Sequence, residues 1–203
     1  MAAGARENAS SARRDSILGA ALRLFTRNGF AATSIDDLRE ASGASVGSIY
    51  HHFGGKEGVA AALHVESLRS YQRAMLELIE RDPTARDGIE GIVRLHLHWV
   101  AEHPDEARYL LGMRSAEVVL ASRKEVRALN RGFFRSVFGW LERQADAGHI
   151  RGVPRHLYFP LVIGPSQELA REWLEGRLDT PLEEDAPLLA EAAWNAIHRG
   201  GRR

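Results

Sequence analysis

Ser45-Val46-Gly47-Ser48-Ile49-Tyr50-His51-His52-Phe53, followed by Gly54-Gly55-Lys56-Glu57, is the stretch whose reading decides the fold. Ahead of it stands Thr33-Ser34-Ile35-Asp36-Asp37-Leu38-Arg39-Glu40-Ala41-Ser42-Gly43-Ala44. Thr33 is placed to cap a short helix, with Asp36 three residues on as its capping-box partner. Ile35, Leu38 and Ala41/Ser42 repeat at helical spacing. Gly43 supplies the residue that tolerates a positive φ where that helix stops, and Ser45 can cap a second helix at once. Two short helices joined by a tight glycine-containing turn make a helix-turn-helix, whose second helix can enter a major groove. Gly47, Ser48, Tyr50 and His51 face out of that second helix. Small residues there let a backbone approach closely, and Tyr and His can donate to phosphates and base edges.

The rest of the 203 residues reads as further helices. Ile17, Ala21, Leu24 and Phe25 form one apolar face of a helix over 13–27, ended by Asn28-Gly29. Phe30, Ile35, Leu38, Ile49 and Phe53 are expected to close a small three-helix core. Such a core needs a neighbour, and a long helix from Lys56 to about Ile79 supplies it. A helix over 87–102 follows, then a short one restarted by Pro104. Ser122 and Glu125 form a capping box for a long helix to about Ala147. The stretch 154–178 reads as a helix or broken helix, interrupted at Pro160 and Gly164-Pro165, where a kink is expected, and Asp185 is placed to cap a last helix through His198. No strand-like alternation and no internal repeat is present, so the fold class is all-α.

Composition narrows the function. Lys plus Arg and Asp plus Glu number 27 each, a net charge of zero, which argues against indiscriminate coating of nucleic acid. Arg13, Arg14, Arg27, Arg39 and Lys56 nevertheless fall early, where a local basic surface can form. There is no cysteine, hence no disulfide, thiolate metal site or thiol nucleophile. The N-terminus lacks the apolar run of a secretory signal, and the longest apolar stretch, 157–163, contains a proline and cannot span a bilayer. No membrane association and a cytoplasmic compartment are expected. His96 and His98 are two apart on a helix and point to nearly opposite sides. With no His-Glu-x-x-His pattern, no metal site is expected, and His98 is expected to pair with Glu102 on the surface. Neither a nucleophile elbow nor a phosphate loop nor a dinucleotide fingerprint occurs, so no enzyme and no cofactor is expected.

The segment from Ser16 to Val59 resembles the N-terminal domain of the TetR family of one-component transcriptional regulators. The motifs are Leu24-Phe25-Thr26-Arg27-Asn28-Gly29-Phe30, Thr33-Ser34-Ile35, Ala41-Ser42-Gly43, and Gly47-Ser48-Ile49-Tyr50-His51-His52-Phe53-x-x-Lys56-Glu57. Ala44, Gly55 and Val59 depart from the family pattern, Gly55 where a Ser often caps the next helix. Residues 1–12 read as a disordered arm, and the resemblance implies a helix-turn-helix DNA-binding domain (13–55) and a larger helical effector-binding and dimerisation domain (56–199). It implies an operator of double-stranded DNA, a homodimer and a small effector, which zero net charge, few Lys residues and aromatic stripes on the middle helices suggest is hydrophobic or aromatic. Thr33, Tyr50, His52 and Lys56 would hold phosphates, and Gly47, Ser48, Tyr50 and His51 would face bases, with Ser34 and Ser45 in the same surface.

The family's pocket lies between the middle helices. Here His96, Asn130 and Gln167 would be its polar fixtures, and Trp99, Tyr109, Met113, Phe133, Phe134 and Val137 its walls. The last two helices would carry the dimer contacts, through Leu169, Trp173, Ala190, Trp194 and Ile197. The chain then reads as a ligand-responsive repressor. The alternatives are a helical binding protein or enzyme using the same pocket, and a DNA-binding adaptor without a small ligand.

Overall fold

A computed structural model describes residues 2–112 and 116–200. Among these, the regular structure is helical apart from one isolated antiparallel bridge, Ile150 to His198. In chain order the helices are α1 (Ala2–Asn28), α2 (Ile35–Ser42), α3 (Val46–Phe53), α4 (Lys56–Glu80) and α5 (Ala85–Glu102). They continue with α6 (Pro104–Gly112), α7 (Ala116–Asp146), α8 (Arg155–Val162), α9 (Gly164–Leu174) and α10 (Leu182–Ile197). The chain forms two compact units, one of residues 1–68 with 105–127, the other of 69–104 with 128–203.

The first unit holds the expected three-helix core and extends it. Ile17, Ala21 and Phe25 of α1 pack with Leu38 of α2 and Ile49 of α3, and Phe30, Ile35 and Phe53 close over them. Val59, Ala60 and Leu63 of α4, with Tyr109 and Val118, complete the cluster. Three short helices bury too little apolar surface alone, so 13–55 lies inside a larger folded unit. Phe25 stacks on Tyr109 (centroids 6.2 Å, interplanar 19°), and the Tyr109 hydroxyl donates to the Ala60 carbonyl (2.7 Å).

In the second unit α5 packs mainly along α10. Ile89, Val93, Leu97 and Val100 of α5 are buried, as are Ala186, Ala190, Ala193 and Ile197 of α10. Both sets repeat at three- and four-residue steps, the period of one helix face. Trp140 of α7 is wholly buried and lies against Gly88, where a Cβ would overlap its indole ring.

Several boundaries differ from the sequence-based expectation. The arm expected to lack structure is helical from Ala2, because its Ala-rich, proline-free sequence continues α1 with the best helix formers. Ser122 does not cap α7, which begins at Ala116. Instead its hydroxyl donates to the Val118 carbonyl one turn back (2.8 Å), the alternative open to a helical serine. Asp185 is not the cap of α10: it sits in the first turn with Glu183 and Glu184, where negative charge suits the helix dipole. The interruption expected within 154–178 falls at Ile163, beside the expected Gly164-Pro165, with Pro165 in the first turn of α9. His98 stands 3.9 Å from Glu183 of α10 rather than pairing with Glu102. The α5–α10 packing brings that carboxylate across.

Candidate nucleic-acid interface and effector site

Each helix of the helix-turn-helix is closed at both ends by its own residues. Ser34 is the N-cap of α2: its hydroxyl accepts from the Asp37 amide (3.1 Å), and the Asp37 carboxylate accepts from the Ser34 amide (2.8 Å). The Ser34 amide foremost, and its hydroxyl, which also donates to the Asp37 carboxylate (2.7 Å), hold that carboxyl below its ordinary pKa. The capping box thus falls one residue later than the Thr33–Asp36 pair read from the sequence. Thr33 is unavailable because it is 1% exposed and its hydroxyl donates to the Gly29 carbonyl (2.9 Å). That commitment also removes Thr33 from the residues able to offer a hydroxyl to a phosphate. Gly43 (φ 68°) ends α2, donating to the Arg39 carbonyl. Two residues on, Ser45 accepts from the Ser48 amide (3.1 Å) to start α3. Ala44 is buried in the turn between them.

Ile49 anchors α3 to the core, and the opposite face is open. Tyr50 is 53% exposed; Ser45, Gly47 and His51 are exposed, and Ser48 and His52 half-buried. Val46 is also exposed at the start of α3. It escaped sequence reading because an aliphatic residue between polar ones gives no signal for its side. Lys56 is half-buried: its ammonium donates to the Phe30 carbonyl (3.0 Å) and sits 4.4 Å from the Phe30 ring centroid. One cation thereby ties the α1–α2 loop to the start of α4, leaving two of its hydrogens for a phosphate. Gly55 has φ 142°, a conformation L residues rarely adopt. This explains the departure from Ser at that position.

The expected effector residues separate. His96 and Trp99, on one side of α5, meet Tyr71 of α4. The Tyr71 ring lies 5.8 Å from the imidazole and 5.1 Å from the indole, nearly perpendicular to both. Tyr71 and His96 Nδ1 share a hydrogen bond of 3.1 Å. Beside Tyr71, Gln72 is buried and donates to Asn130 Oδ1 of α7 (2.7 Å). Tyr71 and Gln72 were missed in the sequence, although the gap in the α4 stripe between Leu68 and Met75 marks their place. Phe133 and Val137 are half-buried and Phe134 is exposed. Phe134 stacks on Phe138 in an aromatic ladder that reaches Tyr158 of α8. Gln167 is half-buried on α9. Tyr109 belongs to the core of the first unit, and Met113 lies outside the described residues.

Of the expected dimer residues, Leu169, Trp173 and Trp194 are half-buried. Ala190 and Ile197 are wholly buried inside the protomer and offer no surface. The register of α10 turns them inward and leaves Leu188 outward, 69% exposed.

Burial holds the His96 imidazole down at about 4. Between its ordinary value of 6.5 and that value, the unfolded chain takes up a proton that folded His96 refuses. Its contribution to stability is therefore complete above pH 6.5 and lost as pH falls through the window. A loss of roughly 3 kcal/mol from this group is expected. Urea unfolding at about pH 7 and about pH 4.5 should show a smaller pH dependence in His96→Gln; an unchanged one places the acid sensitivity elsewhere.

Two capped helices across a glycine turn, with an open second helix, define a DNA-binding protein of the helix-turn-helix class. Residues 17–63 match the family model described as bacterial regulatory proteins, tetR family. It is 22% identical over 160 residues to the fatty acid metabolism regulator protein of Bacillus subtilis (strain 168), covering 78% of this chain and 81% of that one. The TetR family transcriptional regulator PfmR from Thermus thermophilus has TM-score 0.71 and 25% identity, over 90% of this chain and 99% of that one. Transcriptional regulator FadR from Bacillus subtilis, in complex with stearoyl-CoA, has TM-score 0.75 and 21% identity, over 90% and 98% of the two chains. Among the described residues no helix is long and apolar enough to cross a membrane. Nor do they contain a group of three His, Cys, Asp or Glu side chains able to hold a metal ion.

Proposed function

We propose that this DNA-binding regulator is a cytoplasmic, homodimeric repressor released from its operator by a small hydrophobic effector. The observation that carries the reading is the open face of α3, Gly47-Ser48 with Tyr50 and His51, held at both ends by Ser45 and Gly54. In this reading residues 13–55 read DNA and 56–199 bind the effector and the second protomer. A dimer is supported by apolar side chains exposed on the second unit, Leu157 and Phe159 of α8 and Leu188 of α10. The effector site is supported by the cluster of Tyr71 with the buried His96 and Trp99, and a large apolar ligand by the stearoyl-CoA bound in the related FadR structure.

Two states are required: a dimer whose recognition helices match successive major grooves, about 34–36 Å apart, and one that does not. The effector acts only through its differential affinity for the second state. Its coupling factor is the same whether DNA or effector is added first. α4 contributes residues to both units.

The test is operator selection from random duplexes, followed by titration with apolar compounds and sedimentation of the free protein. A selected sequence of two half-sites, a dimer mass, and release by compounds that raise the melting temperature are expected. No sequence preference in the selection refutes the reading. Within that assay Lys56→Ala is expected to weaken all duplexes alike and to reduce the salt slope by about one per half-site. A changed preferred sequence with an unchanged slope removes Lys56 from the phosphate contacts.

A further inference from the structure

Three buried ring nitrogens of the second unit lack a hydrogen-bond partner, His96 Nε2, Trp99 Nε1 and Trp140 Nε1, and the first two stand side by side on α5. His96 and Trp99 are three residues apart on α5, hence on one side of it, and both meet the Tyr71 ring. Each residue is more than nine-tenths buried, and His96 Nε2 and Trp99 Nε1 have no hydrogen-bond partner. Indole can only donate. The imidazole is settled by its other nitrogen. A phenol carries its hydrogen on oxygen, and the acceptor the structure offers the Tyr71 hydroxyl is His96 Nδ1, at 3.1 Å. Burial keeps both groups neutral, raising the phenol and lowering the imidazole. Tyr71 therefore donates to Nδ1, and a neutral imidazole with a bare Nδ1 carries its hydrogen on Nε2.

The pair is thus two N–H groups pointing the same demand at their surroundings. A buried donor left unsatisfied is costly, and native proteins leave few of them. Two on neighbouring turns of one helix mark where an absent acceptor belongs.

We propose that the effector carries an uncharged acyl group, an ester, thioester or amide attached to an apolar body, whose oxygen accepts hydrogen bonds from His96 Nε2 and Trp99 Nε1. A carbonyl oxygen has two lone pairs and can serve both donors. A carboxylate fits less well: the Tyr71–His96–Trp99 cluster holds no permanent cation, and an unpaired charge is costly to bury. This inference rests on the reading of the second unit as the effector-binding unit, and it specifies the polar end of the ligand.

The experiment uses the full chain and three probes with hydrocarbon bodies of similar size: methyl octanoate, sodium octanoate and nonane. Affinity is read from melting-temperature shifts, and the indole N–H resonance of Trp99, assigned by loss in Trp99→Phe, is followed by NMR. The ester is expected to bind about 10- to 100-fold tighter than the alkane, the margin typical of a site built to hydrogen-bond its ligand. Its binding should shift the Trp99 N–H resonance downfield. His96→Phe and Trp99→Phe should each erase most of the ester's advantage while leaving alkane binding within about threefold. Equal binding of ester and alkane overturns the proposal, because the donors are then satisfied by water or not at all. Tightest binding by octanoate overturns it in favour of a charged ligand. If none of the three probes binds, the effector reading falls together with it; if the alkane binds and the ester gains nothing, only the acyl assignment falls.

Discussion

Gly58→Ala is expected to destabilise the first unit by about 3 kcal/mol and to reduce operator affinity about 100-fold. α3 ends at Gly54 (φ 77°), Gly55 follows at φ 142°, and α4 starts at Lys56. This double-glycine turn folds the first turn of α4 back onto the end of the recognition helix. A Cβ on Gly58 would overlap the Phe53 carbonyl oxygen. The obstacle is backbone, so no side-chain rotation relieves it, and α3 and α4 must part. Parting them also pulls Lys56 from the Phe30 carbonyl and moves Tyr50 and His51 relative to the core. The control is Gly47→Ala, on the open face of α3, where the nearest atom to a new Cβ is Ser45 Oγ at 4.0 Å. That variant should fold as the wild type does, and any loss of binding should depend on the duplex sequence. Urea unfolding and operator titration separate the two. If Gly58→Ala is as stable as Gly47→Ala, the close approach of Gly58 to Phe53 is not a constraint.

Trp140→Ala should cost the second unit about 3–5 kcal/mol, the range for deleting a large buried aromatic side chain. The indole is completely buried and occupies the space that Gly88 leaves on α5. Its Nε1 has no hydrogen-bond partner, so what it contributes is volume. Trp140→Phe loses no hydrogen bond and only part of that volume, so it should cost clearly less than Trp140→Ala. Gly88→Ala fills the same space from the other side and is expected to be destabilising on its own. Combined with Trp140→Phe it should cost less than the two changes summed, since a smaller ring makes room for the methyl. Thermal or urea unfolding of the four variants checks this. A Trp140→Phe as damaging as Trp140→Ala would show that the buried volume is not what the indole contributes.

The helix-turn-helix was legible because its signals are local. Gly43 and Ser45 act on neighbours within four residues, and the Gly47-to-Glu57 motif runs without interruption. The same locality explains the one-residue error at the first cap. Thr33-x-x-Asp36 and Ser34-x-x-Asp37 satisfy the capping pattern equally. The choice was made by the Gly29 carbonyl, which takes the Thr33 hydroxyl and buries it. Lys56 shows the same limit. Its place in the motif was readable, and its bond to Phe30, 26 residues away, was not.

The second unit was legible as helices and little more. Apolar stripes located α5, α7 and α10, but a stripe gives a helix its inward side without naming what lies against it. Ala190 and Ile197 were taken for contact surface because their helix was expected at an interface, whereas packing on α5 turns them inward and exposes Leu188. Tyr109, read as a pocket wall, is in the first core because it meets Phe25 and Ala60, both distant in sequence. Tyr71 and Gln72 carry no motif, and their importance comes from His96, Trp99 and Asn130, which the fold brings to them. By itself the sequence determined the all-α class, the capped reading helices and the residues on their open face, since those depend on φ, hydrogen bonds and periodicity within a few residues. Only the tertiary structure decided which buried polar groups find partners and which are left wanting one. Satisfying a buried donor depends on groups that packing brings from elsewhere in the chain.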